Sequence, residues 1–149
     1  MFFKYTNLDE GLHQIQLKKP VEELEMYPPF VGEIVVDCNI DKSVRQIVLN
    51  CEAECEAEFI CDRCNDTYSE ILIVDFTLIK VFNEANAGTE DSNVEYLPPD
   101  VSTIDITKDL REFMLLSVPM KKLCSDDCKG LCINCGANLN REKCSCTVE

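Results

Sequence analysis

The sequence predicts an α+β fold: an antiparallel sheet, one main helix and a cysteine-rich tail. Three observations predict it. Residues 47–59 alternate strictly between apolar and polar side chains, as a strand with one buried and one wet face does. Leu110, Phe113, Met114 and Val118 recur at helical spacing ahead of Pro119, so one stripe of a helix faces the core. Six of the eleven cysteines fall between residues 124 and 146.

The elements follow in order. His13–Leu17 reads as a short strand with Ile15 and Leu17 on one face. Pro20 ahead of Val21–Met26 predicts a short acidic helical turn, closed by Pro28–Pro29. Val31–Ile40 is rich in β-branched residues and reads as a strand. In the next strand Ile47, Leu49, Cys51, Ala53, Cys55, Ala57 and Phe59 share the buried face, while Asn50, Glu52, Glu54, Glu56 and Glu58 face water. Cys61–Cys64 is a tight turn, and Thr67–Phe82 is the return strand of a long hairpin with that turn at its tip. Residues 83–102, with Glu84, Glu90, Asp91, Glu95 and Asp100 and no period, read as a mobile acidic loop with a brief strand at Val94–Leu97. Asp105 or Thr107 caps the helix that runs to about Val118. Residues 1–120 are expected to form the core domain and 121–149 a tail packed on it.

A chain of 149 residues buries roughly 68–70% of its unfolded surface, so it does not need disulfides to hold a core. Its odd cysteine count forbids complete internal pairing. Met1–Asp9 lacks the basic start and apolar run of a signal peptide, and apolar runs such as Ile71–Val74 fall far short of the ~20 residues that span a bilayer. A cytoplasmic protein with reduced thiols is therefore expected. Fourteen basic against 28 acidic residues give a net charge of −14. That balance disfavours nucleic acid and favours a basic protein partner. The clearest basic cluster, Lys121, Lys122, Lys129, Arg141 and Lys143, is interleaved with Asp126, Asp127 and Glu142.

The tail has few large apolar groups (Leu123, Leu131, Ile133, Leu139) and cannot fold by burial alone. A structural metal supplies the missing free energy, on the order of 10 kcal/mol in small zinc peptides. In Cys132-Ile-Asn-Cys135-Gly136 two thiolates sit at the separation that bites one tetrahedral ion, and the glycine permits the positive φ of the turn. Cys61-Asp-Arg-Cys64-Asn65 has the same form, with asparagine the next most tolerant residue. Closed structural sites take four ligands. The preferred grouping is Cys61, Cys64, Cys124 and Cys128 for one ion, and Cys132, Cys135, Cys144 and Cys146 for a second, because contiguous ligands cost less loop-closure entropy. The alternative puts Cys124, Cys128, Cys132 and Cys135 on one ion and sends Cys144 and Cys146 to the hairpin. Two Zn²⁺ ions in a zinc-knuckle tail are expected; four-cysteine sites also hold iron, but nothing in the sequence suggests electron transfer. Cys38, Cys51 and Cys55 read as inert core thiols, and His13 as a surface or half-buried residue.

These motifs together resemble the YceD-like family, the large ribosomal RNA subunit accumulation proteins. The resemblance rests on Cys61-Asp-Arg-Cys64 after the alternating strand, the Asp109–Pro119 segment (DLREFMLLSVP), and Cys124–Cys146. It implies a role in accumulation of the large-subunit ribosomal RNA, hence ribosome assembly, in bacteria or plastids. It also implies an association with a large-subunit ribosomal protein, and no catalytic activity. Relatives that keep the first turn but lack the long tail carry His or Cys near the positions of Cys124 and Cys128, which favours the first grouping.

The leading expectation is a non-enzymatic factor acting through a basic ribosomal protein or pre-ribosomal particle. A direct RNA-binding zinc module lacks an aromatic stacking platform, since 121–149 holds no Trp, Phe or Tyr. A thiol redox protein would place its CxxC at a helix start in a βαβ setting. One His, no GxSxG, no HExxH and no phosphate-binding glycine loop leave hydrolase chemistry without support.

Overall fold

The alternating segment forms the middle strand of the molecule. The computed structural model describes residues 1–87 and 93–146. The main sheet has five strands in the order β2 (Gly11–Pro20), β3 (Phe30–Lys42), β4 (Gln46–Ile60), β5 (Thr67–Val81) and β6 (Val94–Tyr96). All pairs are antiparallel except β5–β6, which is parallel. The expected antiparallel sheet is thus observed for β2–β5 and becomes mixed at the β6 edge. β6 is the brief strand expected at Val94–Leu97 within the acidic loop, and it is joined to β5 by the ion pair of buried Lys80 with Glu95, at 2.6 Å. The same segment also contains a 3₁₀ turn, Glu84–Asn86. Its Glu90 and Asp91 lie outside the described residues.

The period-two pattern decides which face is buried. On β4 Ile47, Leu49, Ala53 and Ala57 are fully buried, and Cys51, Cys55 and Phe59 nearly so. Ile34, Val36 and Ile40 of β3 and Phe76 and Leu78 of β5 complete that face. Helix α1 (Thr107–Ser117) contributes Leu110 and Met114, and Phe113 stacks on Phe76 with ring centroids 5.0 Å apart. The side chain of Asp105 accepts the Thr107 backbone N–H at 2.9 Å from one residue before the helix cap. Two short strands, β1 (Phe2–Lys4) and β7 (Thr103–Asp105), form a separate antiparallel pair, and Ile104 adds to the core. The expected acidic turn is a 3₁₀ turn at Val21–Leu24, with Val21 and Leu24 buried. His13 is half-buried, with Nε2 2.8 Å from the Asp9 carbonyl oxygen.

Two of the three cysteines read as inert core thiols are joined to each other. The β3–β4 register sets Cys38 opposite Cys51 with Cα atoms 4.1 Å apart, and their sulfurs form a disulfide. Cys55 is the free core thiol; burial pushes its pKa up to about 11, so it stays protonated and inert.

The other face of the sheet is exposed and strongly acidic. The registers align Asp37, Glu52 and Asp75 in one cross-strand row, and all three are exposed. Like charges directly opposite one another oppose sheet pairing, so the buried face must stabilise the strands against this repulsion.

Candidate metal centres

The tip of the β4–β5 hairpin and the tail contain one turn built twice. In the first, the Asn65 N–H donates to the Cys61 carbonyl and the Cys61 N–H to the Asp66 carbonyl, both at 2.9 Å. In the second, Gly136 donates to Cys132 and Cys132 to Ala137, both at 2.8 Å. The residue after each second cysteine is left-handed, Asn65 at φ 61° and Gly136 at φ 74°, as their tolerance of that region predicts. Each turn brings its two sulfurs to one side and leaves backbone N–H groups to face them.

The tail completes both sets. Cys61, Cys64, Cys124 and Cys128 bring their sulfurs within 4.8 Å of one another, as do Cys132, Cys135, Cys144 and Cys146. The sulfurs that lie together are those of the first grouping, not of the alternative. Individual separations are 3.8 Å for Cys61–Cys128, 3.6 Å for Cys64–Cys124, 3.1 Å for Cys132–Cys144 and 3.6 Å for Cys135–Cys144. Four sulfurs each about 2.3 Å from one tetrahedral zinc lie about 3.8 Å apart; the first cluster's separations match that spacing, and the second takes such an ion once the short Cys132–Cys144 contact widens. In the first cluster Cys61, Cys64 and Cys128 are buried, with Tyr68 and Leu123 packed against them. The second is more open: Cys135 is exposed and its other three cysteines are half-buried.

The electrostatics of each cluster are those of a cation site. The Cys124 backbone N–H, helped by those of Cys64 and Arg63 and opposed by burial, holds the Cys61 thiol down at about 6. The Asp66 N–H pulls Cys64 down, but burial and the sulfurs of Cys61, Cys124 and Cys128 push it up to about 12. In the second cluster the Cys135 N–H, the Cys144 side chain and the Asn134 N–H hold Cys132 at about 6. The Cys144 and Cys135 sulfurs push Cys146 up to about 12. One thiolate in each cluster is stabilised by backbone dipoles, and further ionisation is opposed by charge crowding that a divalent cation would relieve.

Several residues that fasten the tail to the hairpin carry no sequence signal of their own. The Asp62 N–H donates to the Lys122 carbonyl at 2.8 Å, and the Lys122 N–H returns to Asp62 Oδ2 at 2.7 Å. Arg63 Nη1 donates to the Cys128 carbonyl at 2.9 Å, and the Arg63 carbonyl accepts the Leu131 N–H at 3.1 Å. Gly130, at φ 76°, passes so close that a Cβ there would stand 3.0 Å from the Arg63 carbonyl oxygen. A glycine two residues after Cys128 is the one legible hint of that close approach.

The fold and its clusters define a sheet protein with two four-cysteine centres, each able to hold a metal ion. The chain belongs to the YceD family: the family model described as "Large ribosomal RNA subunit accumulation protein YceD" matches residues 49–149. Among similar curated proteins is the large ribosomal RNA subunit accumulation protein YCED homolog 1, chloroplastic, of Arabidopsis thaliana. It is 30% identical over 115 residues, covering 60% of this chain and 36% of that protein. The Zea mays protein of the same name is 41% identical over 54 residues, covering 36% of this chain and 18% of that protein. The match therefore spans little more than a third of the Arabidopsis protein's length and less than a fifth of the Zea mays protein's. No solved structure matches it. The family is named for an accumulation factor rather than for a catalytic activity. Among the described residues, no helix is long and apolar enough to cross a membrane.

Proposed function

We propose that the chain is a non-enzymatic, cytoplasmic factor that supports accumulation of the large-subunit ribosomal RNA through a basic ribosomal protein or a pre-ribosomal particle, with two structural zinc ions shaping its tail. The observation that carries the metal part is the pair of four-sulfur clusters, each with its sulfurs within 4.8 Å of one another. All-thiolate donors suit zinc, which adds shape without redox chemistry. Cys61, Cys64, Cys124 and Cys128 would hold one ion, and Cys132, Cys135, Cys144 and Cys146 the other. The first ion would bind the tail to the hairpin tip, the second would close the tail on itself, and the sheet face would stay free.

The functional part draws on the family's name and on charge. The exposed row Asp37–Glu52–Asp75, within a chain of net charge −14, attracts a basic protein and repels the RNA phosphate backbone. A tagged full-length chain should retain large-subunit ribosomal proteins or pre-ribosomal particles at low salt. Glu52→Lys with Asp75→Lys should lose at least tenfold of that recovery. Recovery of no ribosomal component, or recovery unchanged by the charge reversal, counts against this reading. A redox role draws on the low pKa of Cys61, but that thiol is only 1% exposed, which denies it to a disulfide partner.

Ion retention should fall with acidity. Cys64 and Cys146, near 12 without an ion, give up protons when one binds, so protons compete with metal at every pH below that value. Below about 6, where Cys61 and Cys132 also take up protons, the loss should steepen. Zinc release against a fixed chelator, followed from pH 8 to pH 5, measures this; a flat profile contradicts thiolate ligation.

A further inference from the structure

The two clusters are not independent in this fold. The loop that joins Cys135 to Cys144 in the second cluster lies against the first. Asn140, within that loop, donates its side-chain N–H to Cys128 Sγ at 3.3 Å and accepts the Lys129 backbone N–H at 2.8 Å. Asn138 Nδ2 donates to Asp66 Oδ2 at 2.8 Å, and Asp66 itself belongs to the first turn, where its carbonyl accepts the Cys61 N–H. The Leu139 N–H closes onto the Gly130 carbonyl at 2.9 Å. The loop's own conformation is fixed by Asn138, whose carbonyl accepts the N–H groups of Arg141 and Glu142. One end of this loop is held by Cys135 and the other by Cys144.

The geometry points to Asn140 as a positioning residue of the first metal site, delivered by the second, so that the two sites load cooperatively. The inference rests on the proposed metal binding and goes beyond it. Asn140 is not a ligand. Its amide N–H hydrogen-bonds to a buried ligand sulfur, where it orients that sulfur and disperses the negative charge of an all-thiolate site. An ion at Cys132, Cys135, Cys144 and Cys146 fixes the ends of the loop and so holds Asn140 against Cys128. By linkage, an ion in the first cluster, by fixing Cys128, favours the second cluster to the same degree. Arg141 adds an ion pair to Asp66 at 3.1 Å, but it is largely exposed and contributes little.

The test uses the full chain loaded with Zn²⁺ and a chromophoric chelator in excess. The release phase of the first cluster is the one that disappears in Cys64→Ser. Removing an outer hydrogen bond of this kind costs about 10–100-fold in metal affinity, so Asn140→Ala should speed that phase by about tenfold or more. Asn140→Asp keeps the acceptor for Lys129, removes the donor and sets a negative charge beside the Cys128 sulfur, so it should speed the phase at least as much. Cys144→Ser with Cys146→Ser, which removes the second ion without touching the first cluster, should also speed it. Combining this pair with Asn140→Ala should give no further acceleration. Wild-type release from the two Asn140 variants, or from the Cys144/Cys146 variant, overturns the inference, as does strict additivity of the combination. A wild-type chain that takes up no zinc overturns both the inference and the metal reading; one that takes up two ions and releases them independently overturns the inference alone.

Discussion

Stripping the metal from the loaded protein should dissolve the tail and spare the sheet. The tail has almost no core of its own: Ile133 is 95% exposed and Leu131 40% exposed. Its backbone hydrogen bonds, such as Leu139 to Gly130, contribute only about 1 kcal/mol each. Against them stands the conformational entropy of the segment, about 1–2 kcal/mol per ordered residue. Ion binding to four thiolates is worth about 10–16 kcal/mol in small zinc peptides and is the one contribution of the required size. In an amide NMR spectrum, a strong chelator should collapse the dispersion of residues 121–146 and leave β3, β4 and β5 near their original shifts. Cys61→Ser should produce half of this result, with one ion lost and the link to the hairpin tip loosened. A tail spectrum unchanged by chelation would mean that the described hydrogen bonds alone suffice.

Leu110→Ala should cost about 2–5 kcal/mol of global stability, the range for emptying a fully buried leucine site. Leu110 is 0% exposed, and the helix that carries it has 11 residues, too few to be stable in water without packing. Loss of the anchor therefore weakens both the core and the helix. Leu116→Ala, on the same helix but 80% exposed, should change stability by no more than about 0.5 kcal/mol. Urea denaturation of the two variants measures the contrast; equal shifts would mean that the helix packs through a different stripe.

The long elements were legible in the sequence because their patterns repeat. Strand β4 alternates over fifteen residues, and a one-residue slip would turn all its glutamates inward. The α1 stripe was legible for the same reason at a different period. Strands β1 and β7 have three residues each, less than two periods, and their pairing is set by tertiary contact; β6, equally short, was expected at Val94–Leu97, but its parallel pairing was not. The Cys38–Cys51 pair was hidden by treating each cysteine singly. The hairpin register that sets Lys42 opposite Ile47 also sets Cys38 opposite Cys51, so aligning the two strands about their turn would have revealed it.

The eight clustered cysteines were legible from spacing, and contiguity of ligands separated one grouping from the other. The residues that tie the clusters together were not. Asp66, Asn138 and Asn140 act through single side-chain bonds across the hairpin–tail junction, and such residues are common in any polar loop. Arg63 is similar: its bonds to the tail depend on a docking that local sequence does not encode. What the sequence shows is which groups carry the chemistry; what holds them in place emerges only once the chain is folded.

The most direct measurement is native mass spectrometry of the cell-purified chain carrying no histidine tag. Two zinc ions per chain are predicted, falling to one in Cys64→Ser and to one in Cys132→Ser. A wild-type mass without bound metal, or with a single ion shared by both clusters, would contradict the account.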